Sequence, residues 1–175
     1  QTKLIEPNAG TIIYDYNAFG ELISQNDNGK ITSLTYDRLG RIKTRTEPEG
    51  TTYYNYDWGT YGRSIGKITS ILTDYNLEEY YYYDDYGRIS SIQKEDYNDY
   101  MTFIESYSYD NLHRLKTRTF NFGFSVNYFY NNYYYLSEIK RGDNNAMIWK
   151  AEDMDAYGHI TQYRLGNNAQ TNLYY

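Results

Sequence analysis

Leu34 to Thr44 read LTYDRLGRIKT, which puts a tyrosine, an aspartate, a glycine, an arginine and an isoleucine within seven positions. Asp at the first position of a four-residue turn bonds back to the turn's own backbone, and Gly at the fourth takes φ > 0. Together they make the type I turn with a bulge that closes short β-hairpins. Asp37 and Gly40 fill those two places. Strand alternation then sets Tyr36 and Ile42 on one face and Asp37 and Arg41 on the other. The aromatic and the aliphatic residue become cross-strand neighbours. The Asp37–Arg41 pair flanks the turn as an exposed ion pair worth about 0.5 kcal/mol, with Arg41 in solvent.

The stretch returns along the whole chain. It reads YDYNAFGELIS from Tyr14, YYYDDYGRISS from Tyr81, YSYDNLHRLKT from Tyr107, YFYNNYYYLSE from Tyr128 and EDMDAYGHITQ from Glu152. A further copy, YNYDWGTYGRSIGKITS from Tyr54, keeps both ends and carries six extra residues between them. The anchors are an aromatic residue or Met, then Asp or Asn, then Leu or Ile. They are Tyr16/Asn17/Leu22, Tyr36/Asp37/Ile42, Tyr56/Asp57/Ile68, Tyr83/Asp84/Ile89, Tyr109/Asp110/Leu115, Tyr130/Asn131/Leu136 and Met154/Asp155/Ile160, with Gly87 and Arg88 repeating the roles of Gly40 and Arg41. Successive aliphatic anchors are 20, 26, 21, 26, 21 and 24 residues apart. A period of that length is the signature of stacked supersecondary units.

Between the copies lies a second set of turn signals, including NDNG from Asn26, EPEG from Glu47, FNFG from Phe120 and GDNN from Gly142. The chain therefore reads as an all-β antiparallel hairpin meander with about fourteen strands in seven repeats, coiled into a strongly curved open sheet by strand twist. EPNAG from Glu6 matches EPEG, and TNLYY closes the sequence where another tyrosine strand is due, so the expectation is a single domain over 1–175 cut within repeats at both ends. Three copies depart from the pattern: Glu21 replaces arginine, His113 replaces glycine, and Tyr134 and Tyr135 stand where Gly-Arg is expected. These departures weaken the turn reading in the fifth and sixth copies. Glu152 and Met154 mark the seventh as a worn or capping copy.

Composition narrows the function classes. Tyr supplies 26 of the 175 residues against 6 Phe and 2 Trp, so tyrosine is the expected core residue of a chain long enough to bury a sizeable core. A net charge of −6 with scattered Lys and Arg argues against nucleic acid, and no apolar run is long enough for a membrane span. The absence of cysteine excludes disulfides and thiolate metal sites.

The in-phase anchors Y-D-x-x-G-R-I/L resemble the YD repeats of the RHS family, large secreted and cell-surface bacterial proteins with the teneurins as animal relatives. The resemblance covers roughly Leu4 to Tyr175. It implies a long β-sheet ribbon that spirals into a hollow shell able to hold a toxin fragment, with further repeats of the parent chain as neighbours and a secreted or surface location. It carries over repeat residues and no catalytic ones, because nothing here matches the Asp-, Pro- and Arg-rich segment with which self-cleaving members cut themselves.

His113 and His159 fall on variable turn positions without a second histidine or a spaced carboxylate pair, so neither reads as a base or ligand. The acidic groups Asp84/Asp85, Asp143 with Asn144 and Asn145, and Glu152/Asp153/Asp155 lack calcium-loop spacing, and turn capping accounts for them. Tyr53, Tyr80, Tyr82 and Phe129 fall on the face opposite the anchor tyrosines. Aromatic rings beside Asn, Asp and Gln suit a glycan or another surface ligand, and burial by self-association, as in a homodimer, explains them equally well. The expectation is a structural repeat segment with no enzyme activity and no cofactor, the alternative being a carbohydrate-binding module.

Overall fold

The computed structural model describes residues 2–6, 10–59 and 63–174. Part of the turn read at Glu6 to Gly10, part of the insert in the expanded copy, and Tyr175 lie outside the described residues. Backbone contacts divide the chain into two compact units, residues 1–102 and 103–175.

In the first unit the chain alternates strand and turn without a crossover. The strands are β1 (Lys3–Glu6), β2 (Gly10–Tyr16), β3 (Leu22–Asp27), β4 (Lys30–Tyr36), β5 (Ile42–Glu47), β6 (Gly50–Tyr56), β7 (Ile68–Thr73), β8 (Leu77–Tyr83) and β9 (Ile89–Asp96). Each pairs antiparallel with its sequence neighbours. The second unit takes up the same pattern in β10 (Met101–Tyr109, entering the unit at Phe103), β11 (Leu115–Thr119), β12 (Ser125–Tyr130), β13 (Leu136–Arg141), β14 (Met147–Met154), β15 (Ile160–Leu165) and β16 (Gln170–Asn172). A single 3₁₀ turn, Asn121–Gly123, marks the FNFG signal. Among the described residues the strands number sixteen rather than fourteen, because the seven copies supply β2 to β15 and β1 and β16 flank them.

The register confirms the hairpin reading in detail. All seven anchor pairs stand directly opposite one another: Tyr16 with Leu22, Tyr36 with Ile42, Tyr56 with Ile68, Tyr83 with Ile89, Tyr109 with Leu115, Tyr130 with Leu136 and Met154 with Ile160. In every copy the register shifts by one residue immediately before the aromatic anchor or Met154. That shift is the bulge the turn chemistry calls for.

The expected core is absent. Val126 is the one buried apolar residue among those described, the buried polar residues are Ser64, Thr69 and Ser70, and no large side chain is fully enclosed. The anchor tyrosines are half-buried at most, because a single layer of strands offers a second layer to neither face. Cohesion has to come from the backbone ladder and from contacts that run along the sheet, between repeats.

Candidate functional site

The repeated device of this chain is the YD turn, and its chemistry recurs in six of the seven copies; in the expanded copy Asp57 Oδ1 accepts from the Gly66 N–H and the closing turn is Ser64–Lys67. Asp37 Oδ1 accepts from the Leu39 N–H at 2.8 Å and the Arg41 N–H at 3.0 Å, while Gly40 N–H donates to the Asp37 carbonyl at 3.1 Å. Asp84, Asp110 and Asp155 make the same pair of side-chain bonds to the residues two and four further on. The second carboxylate oxygen takes the cation: Arg41 Nε at 2.7 Å, Arg88 Nε at 2.7 Å and Arg114 Nε at 2.8 Å.

The departures from the motif obey the same geometry. In the first copy the polarity is reversed, with the Asn17 amide donating to the Glu21 carboxylate at 2.6 Å. In the seventh, His159 Nδ1 lies 2.8 Å from Asp155. The fifth and sixth copies form the full turn, contrary to the weakening expected from sequence: His113 and Tyr134 take φ of 65° and 71°, and each closes the turn onto Asp110 or Asn131 at 3.0 Å. The side-chain and backbone bonds hold the left-handed conformation that glycine adopts freely elsewhere.

Arg41 is not a solvent residue, which corrects the sequence reading. Its guanidinium bridges Asp37 and Asp57, each at 2.7 Å, and lies 4.2 Å from the centroid of the Tyr56 ring in the next repeat. Arg114 stands over Tyr130 at 4.1 Å, and Lys67 over Tyr83 at 4.8 Å. The same tyrosines reach back: Tyr36 donates its hydroxyl to the Leu22 carbonyl at 2.7 Å, Tyr56 to Ile42 at 2.9 Å, Tyr83 to Ile68 at 2.6 Å and Tyr130 to Leu115 at 2.8 Å. Tyr56, Tyr83 and Tyr130 are each clamped between the preceding repeat's cation and its aliphatic anchor carbonyl, whereas Tyr36 follows Glu21 and makes the hydroxyl bond to Leu22. That latch explains why the aromatic anchor is Tyr rather than Phe. Sequence reading missed it because the partners sit 14 or 15 residues apart, in different copies; the constancy of that separation was the available signal.

The electrostatics follow from this geometry. At Asp37, Asp84 and Asp110 partial desolvation favours the neutral acid, but the arginine and backbone donors outweigh it and hold the carboxyls below their ordinary range. For Asp57 the Arg41 bond itself dominates and acts in the same direction. Burial pushes the Tyr56, Tyr83 and Tyr130 hydroxyls up, keeping them protonated as donors.

The candidate ligand residues fall on separate units. Tyr53 opposes Leu72, Tyr80 opposes Ser70 and Tyr82 opposes Ser91, which puts all three tyrosines on one face of the first unit, opposite Tyr54 and Tyr81. Tyr53 and Tyr82 are exposed; Tyr80 is half-buried and gives its hydroxyl to Glu78, a bond that pushes its pKa up to about 12. Phe129 belongs to the second unit, with Lys140 Nζ 5.2 Å from its ring. An open cleft of about 780 Å³ in that unit lies between the Asn131–Tyr135 turn and Met154–Gly158. Its lining includes no histidine, and its Glu152 is bound by Arg164. Among the described residues no three His, Asp or Glu side chains gather as metal ligands, and no helix is long and apolar enough to cross a membrane.

Hairpins closed by an Asx turn and latched to one another by tyrosine define an all-β hairpin-repeat sheet. The family model described as RHS Repeat matches residues 16–52, which hold the first two YD turns. Solved structures share the fold. The crystal structure of TcdB2-TccC3 aligns over 99% of this chain with a TM-score of 0.79 at 15% identity, and that of TcdB2-TccC3-Cdc42 over 93% with a TM-score of 0.70 at 18% identity. This chain spans about a tenth of the length of each of those chains. No curated protein matches by sequence.

Proposed function

We propose that the chain is a non-catalytic structural segment of a larger bacterial RHS-type protein, secreted or surface-exposed, in which it builds part of a β-sheet shell with further repeats on either side. The observation that carries this reading is the tyrosine latch. The Asp and Arg side chains of the YD turns and Tyr36, Tyr56, Tyr83 and Tyr130 are committed here to turns and to contacts between consecutive repeats, so these copies serve their neighbours. The likeness to far longer solved chains supports a role as one stretch of a longer ribbon. Electron microscopy of the full parent chain tests it: a hollow particle walled by a continuous strand ribbon is the expected result, and a solid globular particle or isolated beads refute it.

A second reading has one observation in its favour. Tyr53 and Tyr82 present exposed rings on the same face of the first unit, next to Asn55, Ser70 and Gln93, as sugar stacking requires. On this reading the face binds a glycan, and Phe129 serves a separate contact on the other unit. Glycan-array binding lost in Tyr82→Ala, with the thermal melt unchanged, is its expected outcome; no binding by the folded wild type removes it.

A further inference from the structure

In an antiparallel meander the YD turns all lie at one end of the strands and the inter-repeat turns at the other. The two ends of the first unit differ in chemistry. The residue before the glycine of each YD turn is large, apolar and exposed: Phe19 at 90%, Leu39 at 75%, Ile65 at 88% and Tyr86 at 71%. The turns at the opposite end are built mainly from Asn28 and Gly29, Pro48 and Glu49, Asp74 and Asn76, and Asn98 and Asp99, with exposed aromatic residues only in two of them, at Tyr75 and at Tyr97 and Tyr100.

The turn leaves the apolar choice unexplained at Phe19 and Leu39; at Tyr86 the ring also carries the Arg88 guanidinium at 4.9 Å. Leu39 and Phe19 contribute backbone N–H groups to the Asx bonds, which any residue but proline supplies, and the third position of a type I turn accepts polar residues readily. The second unit makes the same choice independently, with Leu112, Tyr133 and Tyr157 exposed before His113, Tyr134 and Gly158. Phe19, Leu39 and Tyr86 stand third in their turns and Ile65 second in the Ser64–Lys67 turn of the expanded copy. An exposed apolar residue returning at the tip of each of these turns is a patch built for contact.

We propose that the row Phe19, Leu39, Ile65 and Tyr86 is a self-association surface, and that its occupant is the same row of a second copy of this chain. Two features select that partner. The tips recur at every second strand, a period of about 10 Å, which a partner of the same strand spacing matches tip for tip. A two-fold axis passing between Leu39 and Ile65 pairs the row with itself, as an isologous dimer requires. The area suffices as well. Four such side chains, at roughly 150 Å² each, bury about 600 Å² per copy and about 1,200 Å² in all, the lower bound of a stable interface. This surface stands or falls whether or not the parent protein forms a shell.

Sedimentation velocity across a concentration series tests the proposal. The wild type is expected to dimerise reversibly. The triple variant Phe19→Ser, Leu39→Ser, Ile65→Ser is expected to weaken the dimer by about a hundredfold or more while keeping the wild-type circular dichroism and melting temperature. Tyr100→Ser, which removes a residue 92% exposed at the opposite end, is expected to leave the dimer intact. A wild type that stays monomeric at its highest soluble concentration overturns the proposal. So does a dimer that survives the triple variant or dissolves in Tyr100→Ser. If the triple variant changes the circular dichroism, the charged single variants Leu39→Lys and Ile65→Lys decide the question by the same readout.

Discussion

At the scale of the residue, the YD motif divides its labour unequally. The aspartate organises its own turn, whereas the tyrosine and the arginine act across repeats. Replacing Tyr56 by Phe leaves the ring under Arg41 and removes only the hydroxyl that donates to Ile42. The expected cost is about 1 kcal/mol, the net worth of one such bond, read from the urea midpoint of unfolding. Tyr56→Leu removes the ring face as well and is expected to cost roughly 0.5–1 kcal/mol more. The opposite sign is expected at Tyr134, an exposed bulky residue at φ 71°. Tyr134→Gly relieves the left-handed conformation and is expected to stabilise the protein by about 1 kcal/mol; an unchanged or lower midpoint shows that the turn tolerates tyrosine without strain.

At the scale of the element, each hairpin carries its own acid sensitivity. The carboxyls of Asp37, Asp84 and Asp110 lie below the ordinary value of 3.8 in the folded chain. A depressed folded pKa contributes stability that is complete above the unfolded value and lost as pH falls through the folded one. Stability is therefore expected to hold from neutral pH to about 5 and to decline below about 4. Asp110→Asn keeps an oxygen for the Leu112 and Arg114 N–H groups and gives up the charge, as Asn131 does natively. It is expected to be less stable at pH 7 and to lose less on acidification. Equal acid slopes for variant and wild type remove these aspartates from the account. The hairpins are legible in the sequence because Asp, Gly and the alternation on either side act within seven residues. His113 and Tyr134 are misread because their turns are held by bonds that survive the loss of glycine, which the one-letter pattern conceals. The arginine latch is misread for a different reason, since its partner belongs to another hairpin.

At the scale of the whole molecule, stability without a core makes the chain a series of nearest-neighbour contacts. The expectation of a sizeable tyrosine core rested on chain length and composition; it fails because a meander of this kind spends its length on one layer, leaving Val126 the one buried apolar residue among those described. What replaces the core is periodic. Each described latch joins an aliphatic carbonyl to the tyrosine 14 or 15 residues on, so removing one whole period returns equivalent atoms to equivalent places. Deleting residues 17–36 joins Tyr16 to Asp37, puts Tyr16 in the place of Tyr36 and leaves the Tyr56 hydroxyl on the Ile42 carbonyl and its ring beneath Arg41. The shortened protein is expected to fold, with an unchanged circular dichroism per residue and a lower unfolding midpoint, because one repeat and one interface are lost. Deleting residues 23–32, half a period, shifts the following strands out of phase with the latch and is expected to abolish cooperative unfolding. If the two deletions behave alike, the sheet is held by its backbone ladder alone and the latch is incidental.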